Sequence, residues 1–270
     1  MSLEDRFKER GFVEINNELV LDDIKNFYFD IANYLAIVLY DDGRFKDESL
    51  QILNALEDGN IDAIDSNIQN AMFNVQKIDR ALLSKLYDMG TRPNKFLTGN
   101  KLFFNDEIVR IAEAFFRSKS EGKHLLVKPE RGETLHLFTP GESQFKHNLP
   151  IHQDYQYLGQ SSDQLTFWLF LSGSIKSGGV RVFPGTHIDG PLECTKNEHG
   201  QHEVSIKSAS KFDFRNGIDF GGEQFQLLAI DSLTCHQSIR SSCSISSRLT
   251  YIWRFSNLNS EKRELFGISY

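Results

Sequence analysis

Apolar residues in the first part of the chain recur with a helical period. Ile24, Phe27, Tyr28, Ile31 and Leu35 fall at i, i+3, i+4, i+7 and i+11, which predicts an amphipathic helix with one buried face. The same reading applies to Ile61, Ile64, Ile68, Met72 and Val75, and to Ile108, Ile111, Ala112 and Phe115, with Asp106 placed to cap the last of these helices. Ahead of them, Gly11 to Ile15 reads as a short extended segment.

From about Leu125 the texture changes to short β-rich runs separated by Gly, Pro, Ser and Asn. Strands are expected at Leu125 to Lys128, Thr134 to Phe138, Gln164 to Leu171, Val180 to Phe183, Gln224 to Ile230 and Leu249 to Phe255. Many short strands at this spacing predict a mainly β fold of the sandwich or jelly-roll type, with helices at its N-terminus and flanks. One domain over residues 1–270 is expected, with helical support to about 120 and a β core over about 125–258. The polar stretch near 188–222 reads either as a lid or as a plain surface excursion.

Composition narrows the function classes. With 40% apolar and 25% charged residues, the 270-residue chain can bury a sizeable core. A formal net charge of -7 and a pI near 5.6 argue against nucleic acid or an anionic membrane surface as partner. The longest apolar run, roughly Ile31 to Tyr40, falls short of the ~20 residues that span a bilayer. Glu4, Asp5, Arg6, Lys8, Glu9 and Arg10 do not resemble a secretory leader, so a cytoplasmic location is expected. Cys194, Cys235 and Cys243 form neither an even disulfide set nor a CxxC motif; reduced thiols are expected, with Cys235 a small buried residue.

The chemistry concentrates in Pro150-Ile151-His152-Gln153-Asp154-Tyr155. On an extended chain residues i and i+2 share a face, so His152 and Asp154 can grip one cation while Gln153 points away. A third ligand must come from elsewhere. His236, near the end of a late strand, is placed to reach across a jelly roll to that pair. Two imidazoles and one carboxylate on one face of an octahedral ion leave three positions open, enough for a chelating cosubstrate and O2. Arg248 opens the apolar run Leu249 to Trp253, where a charge needs a partner. Its planar fork suits the distal carboxylate of 2-oxoglutarate, and a structural salt bridge is the alternative.

Four segments taken together, His152-Gln153-Asp154, Gly178 to His187, His236-Gln237-Ser238 and Arg248-Leu249-Thr250, resemble the phytanoyl-CoA dioxygenase family in order and spacing. The segment Phe7 to Ile15 followed by an amphipathic helix is also similar, whereas residues 40–120 are the least diagnostic. The resemblance implies a double-stranded β-helix, cupin-like and flanked by helices, that uses Fe(II), 2-oxoglutarate and O2 to hydroxylate an aliphatic carbon of a small molecule. It also implies His152, Asp154 and His236 as iron ligands, Arg248 and Ser238 as cosubstrate contacts, and Gln153 and Trp168 as residues lining the cosubstrate pocket. Related halogenases lose the carboxylate that this chain keeps as Asp154, so hydroxylation is favoured over halogenation, with desaturation, epoxidation and ring formation left open.

Lys128 and His136, on strands ahead of the triplet, and His187, at the end of the Gly-rich strand and turn, are further pocket candidates. For His187 a structural or substrate-side role is expected rather than metal ligation. Rival readings are a cupin-like metal enzyme that does not use 2-oxoglutarate, and a non-catalytic metal-binding module.

Overall fold

A computed structural model of the chain describes residues 1–15, 18, 20–89, 96–119, 127–129, 134–138, 149–157, 163–172, 179–198, 200–239 and 248–257. The helices are α1 (Leu3–Arg10), α2 (Leu21–Asp42), α3 (Lys46–Glu57), α4 (Ile61–Ile78), α5 (Arg80–Met89), α6 (Leu97–Phe103), α7 (Asp106–Lys119) and α8 (Ile206–Ala209). The strands are β1 (Phe12–Ile15), β2 (Val127–Pro129), β3 (Thr134–Phe138), β4 (Gln164–Phe170), β5 (Gly179–Val182), β6 (Cys194–Lys196), β7 (His202–Val204), β8 (Ile218–Phe220), β9 (Gln226–Asp231), β10 (His236–Ile239) and β11 (Arg248–Asn257).

The three apolar stripes become α2, α4 and α7, and their stripe residues are buried except Ile61, which is partly buried at the start of α4. The cap of α7 lies one residue earlier than expected. Asn105 Oδ1 accepts from the Glu107 backbone N–H at 2.9 Å, while Asp106 sits in the first turn, where its charge favours the helix dipole. Gly11 likewise is not extended. With φ 76° it closes α1 in the left-handed region and hands the chain to β1.

Five strands form the path β1-β9-β4-β11-β2, with β3 also pairing β11; a second sheet runs β10-β5-β8, and β6-β7 is a separate hairpin. The centre of the larger sheet is β4, whose seven residues are all buried, because both of its faces are covered. Its odd-numbered residues Leu165, Phe167 and Leu169 join Leu227, Ala229 and Phe255 against the helices. The helical layer meets this face through contacts such as Tyr28 against Phe225, ring centroids 5.6 Å apart. On the opposite face Trp168, Phe170, Leu228, Ile230 and Ile252 pack against Val180, Val182 and Phe220 of the smaller sheet. Two sheets facing each other across an apolar interior are the predicted jelly roll, although helical residues outnumber strand residues among those described.

The polar stretch after His187 is folded. It carries β6, β7, α8 and β8, and a small apolar cluster of Phe183, Leu192, Val204 and Cys235 lies beneath it. Burial pushes the Cys235 thiol up to about 12, which agrees with a small apolar role. Arg181, a charge between Val180 and Val182 on β5, is answered by Asp219 directly opposite on β8, in a two-pronged ion pair. No helix among the described residues is long and apolar enough to cross a membrane.

Gly11 couples this frame to the turn between β9 and β10. Its carbonyl accepts from the Asp231 N–H at 2.9 Å and from the Thr234 hydroxyl at 2.8 Å, and a Cβ on Gly11 would collide with Thr234 and the His187 ring. Gly11→Ala is therefore expected to destabilise the fold by roughly 2–4 kcal/mol, combining left-handed backbone strain with overpacking, as read by chemical denaturation.

Candidate metal centre

His152 and His236 are brought together by the backbone. Each donates its N–H to the other's carbonyl, at 3.0 and 2.9 Å, forming an isolated antiparallel bridge. Residues facing each other in such a pair present side chains on the same side, and the two imidazole centroids lie 4.4 Å apart. Gln153 is extended, and a tight 3-10 turn over Asp154–Gln156 begins immediately after it. The carboxylate therefore returns to the face occupied by His152, as the i, i+2 argument predicts.

Asp154 Oδ1 lies 3.3 Å from His236 Nε2 and 3.8 Å from His152 Nε2. One ligand atom from each residue lies within 4.8 Å of the others, and all three residues are buried. Adjacent ligands ~2.1 Å from a common ion stand ~3 Å apart, so a small closure of this triangle accommodates one divalent metal.

Protonation supports that use. His152 Nδ1 lies 2.7 Å from the Pro150 carbonyl, and His236 Nδ1 lies 3.1 Å from the Thr234 carbonyl. Carbonyls only accept, so each Nδ1 carries the proton and each Nε2 offers a lone pair. His236 Nε2 is buried with no hydrogen-bond partner among the described residues. Burial, reinforced by His236, pushes the His152 imidazole down to about 3 against the pull of Asp154. Burial also opposes charge on Asp154, but His236, then Arg254 and His152, outweigh it and hold the carboxyl well below the usual carboxylate range. With each Nδ1 turned to a carbonyl, the two Nε2 atoms and Asp154 Oδ1 are the atoms left to converge on one point, so the donor set fits a metal ion.

Gln153 is bonded to protein groups at every position of its amide. Its Nε2 donates to the Gly190 and Leu233 carbonyls, and its Oε1 accepts from the Leu192 N–H and from Gln156 Nε2. Those four bonds exhaust the amide. The side chain, fully buried, ties the segment after His187 and the turn before His236 to the metal loop.

The remaining candidates are distributed unevenly. His187 packs over Gly11, with Nε2 3.3 Å from the Lys8 carbonyl, which gives it a structural position at the end of α1. Trp168 stands on the inner face of β4, its ring 5.9 Å from that of His236, and its buried Nε1 has no hydrogen-bond partner among the described residues. Ser238 is half-buried on β10 opposite Val180. The side chains of Lys128, His136 and Arg248 lie outside the described part of the structure. Strand register nevertheless assigns their backbone positions: Lys128 faces Ser256, His136 faces Thr250, and Arg248 faces Phe138.

Two inner-face residues escaped the sequence reading. Thr166 is fully buried and its hydroxyl donates to Asp154 Oδ2 at 2.7 Å, and Arg254 stands opposite Thr166 on β11. A polar residue inside the otherwise apolar run Leu165 to Leu171 was the available signal.

No family model matches the chain. A stretch of 95 residues is 34% identical to 1-deoxypentalenic acid 11-beta-hydroxylase of Streptomyces exfoliatus, covering 33% of this chain. The match spans about a third of that relative's length, 34%. Among solved structures, EctD from S. alaskensis with 2-oxoglutarate and 5-hydroxyectoine superposes with a TM-score of 0.57 at 11% identity, over 95% of this chain and 75% of that one. The epimerase SnoN in complex with Fe3+, alpha ketoglutarate and nogalamycin RO gives 0.53 at 13%, over 94% and 82%. The apo non-heme monooxygenase ThoJ gives 0.52 at 15%, over 95% and 77%. At these identities the likeness is one of fold, and the chain has the fold of these three proteins.

The two readings of Gln153 make different demands. As a clamp, Gln153→Ala should lower the stability of metal-free protein by roughly 2–4 kcal/mol, since it strands buried backbone groups. A cosubstrate contact would leave that stability unchanged and raise only the 2-oxoglutarate requirement, so urea unfolding of the metal-free variant separates them.

Proposed function

We propose that the chain is an Fe(II)- and 2-oxoglutarate-dependent oxygenase that hydroxylates an aliphatic carbon of a small molecule, working as one domain. The observation that carries this reading is the buried triangle of His152 Nε2, Asp154 Oδ1 and His236 Nε2, with both imidazoles held in the ligating tautomer. When bound, the metal with 2-oxoglutarate supplies the oxidising power that puts one oxygen atom of O2 into a C–H bond, while 2-oxoglutarate leaves as succinate and CO2.

The protein's own part is positioning and exclusion of water. His152, Asp154 and His236 would hold the iron from one side and leave the other side for cosubstrate and O2. Arg248 and Ser238 would hold the distal carboxylate of 2-oxoglutarate. Arg248 opens β11 opposite Phe138, at the end of that strand remote from Arg254 and Thr166. Trp168 walls the same interior beside His236. Three fold relatives support the chemistry class by what their names state: 2-oxoglutarate with EctD, iron and alpha ketoglutarate with SnoN, and a monooxygenase in ThoJ. The partial relative is named as the 11-beta-hydroxylase of 1-deoxypentalenic acid. A small-molecule substrate agrees with the acidic charge balance, which does not favour nucleic acid.

Purified protein with Fe(II) and O2 should consume 2-oxoglutarate and release succinate, and Asp154→Ala should abolish that turnover. Absence of 2-oxoglutarate consumption with metal bound would favour a cupin-like enzyme that does not use it. Arg248→Ala should raise the 2-oxoglutarate concentration needed for half-maximal turnover by roughly 30-fold or more, the floor of ~2 kcal/mol for truncating one partner of a buried charge pair. An unchanged requirement removes Arg248 from the site.

A further inference from the structure

The two oxygens of Asp154 have different surroundings. Oδ1 faces both histidine Nε2 atoms, whereas Oδ2 accepts a 2.7 Å hydrogen bond from the Thr166 hydroxyl. We propose that Thr166 is a positioning residue that keeps Asp154 a one-oxygen ligand, aiming Oδ1 at the metal and holding Oδ2 out of coordination. This rests on the reading that the triad binds a divalent metal.

The argument starts from the carboxylate. Free to rotate, it can bind a metal through both oxygens, which takes up a fourth position and leaves two of six instead of three. A chelating 2-oxo acid and O2 together need three. Something must therefore occupy Oδ2, and in a buried site water does not do it cheaply. Thr166 is suited to the task because it is immobile. It lies in the middle of β4, paired with Ile230 of β9 on one side and Arg254 of β11 on the other, and it is fully buried. The branched side chain has few rotamers, so the hydroxyl is presented in one direction.

The neighbours on the same face sharpen the point. Trp168 and Phe170, the next inward residues of β4, are aromatic and belong to the apolar interior. A threonine in that row leaves a buried hydroxyl that must find a partner, and its partner is the metal-facing carboxylate. Groups bonded to a ligand in this way typically change metal affinity by roughly 10–100-fold when removed.

The test compares wild type with Thr166→Val, Thr166→Ala and Thr166→Ser by anaerobic titration with Fe(II), by the visible spectrum of bound Co(II), and by thermal unfolding of the metal-free proteins. Valine keeps the shape and removes the donor; alanine serves as a second variant in which steric disturbance of β4 is reversed in sign. The proposal expects both to weaken Fe(II) binding by roughly 10–100-fold. It also expects their Co(II) spectra to differ from wild type, as Oδ2 enters the coordination shell, with serine restoring both properties. Fe(II) affinity and a Co(II) spectrum equal to wild type in either folded donorless variant overturn the proposal and leave the metal reading intact. A wild-type protein that binds no divalent metal overturns the metal reading itself, and the proposal with it.

Discussion

The reciprocal hydrogen bonds between the backbones of His152 and His236 are the constraint on which the centre depends. They join two segments far apart in the chain and decide which side chains share a face. Without that bridge the imidazoles have no fixed relation. The bridge is itself a continuation of the smaller sheet, since His236 also pairs with Val182 of β5. The Cys235 N–H is held by the Thr186 hydroxyl, and the Gly11 carbonyl holds the turn before it. Each of these attachments is buried, so motion at the bridge would expose several polar groups at once.

Around the bridge the site is built as a set of unmet electrostatic demands. Backbone carbonyls accept hydrogen bonds from both Nδ1–H groups, burial keeps His152 neutral, and the Thr166 hydroxyl donates to one oxygen of Asp154. What remains is a cluster of lone pairs in a low-dielectric interior. Such preorganisation costs stability in the metal-free protein and is recovered when a cation binds, the usual relation between a functional site and its scaffold. Gln153 acts on the same loop from behind, with every hydrogen-bonding position of its amide used on the protein.

Much of this was legible in the sequence because period and burial coincide. The helical stripes of α2, α4 and α7 and the long apolar strands β4, β9 and β11 follow directly from apolar spacing. The short strands β6, β7, β8 and β10 do not announce themselves, since three or four residues carry too little periodicity. The metal triad was visible as an HxD pair with a late histidine, and the i, i+2 rule assigned its shared face correctly. The same rule aimed Gln153 away from the metal, yet the family resemblance implied a cosubstrate role; the amide's four protein partners agree with the rule. Thr166 was missed because its meaning depends on register, which places it beside Asp154 only after β4 is seated between β9 and β11.

The central claim is that these three residues hold an iron to which 2-oxoglutarate chelates. Its most direct test is anaerobic addition of 2-oxoglutarate to Fe(II)-loaded protein, followed by the visible charge-transfer band of a metal-chelated 2-oxo acid and by calorimetry with and without metal. The account predicts one equivalent bound only when metal is present, with the band absent in His236→Ala. Binding of 2-oxoglutarate that is indifferent to metal, or metal-loaded protein that develops no band, would contradict it.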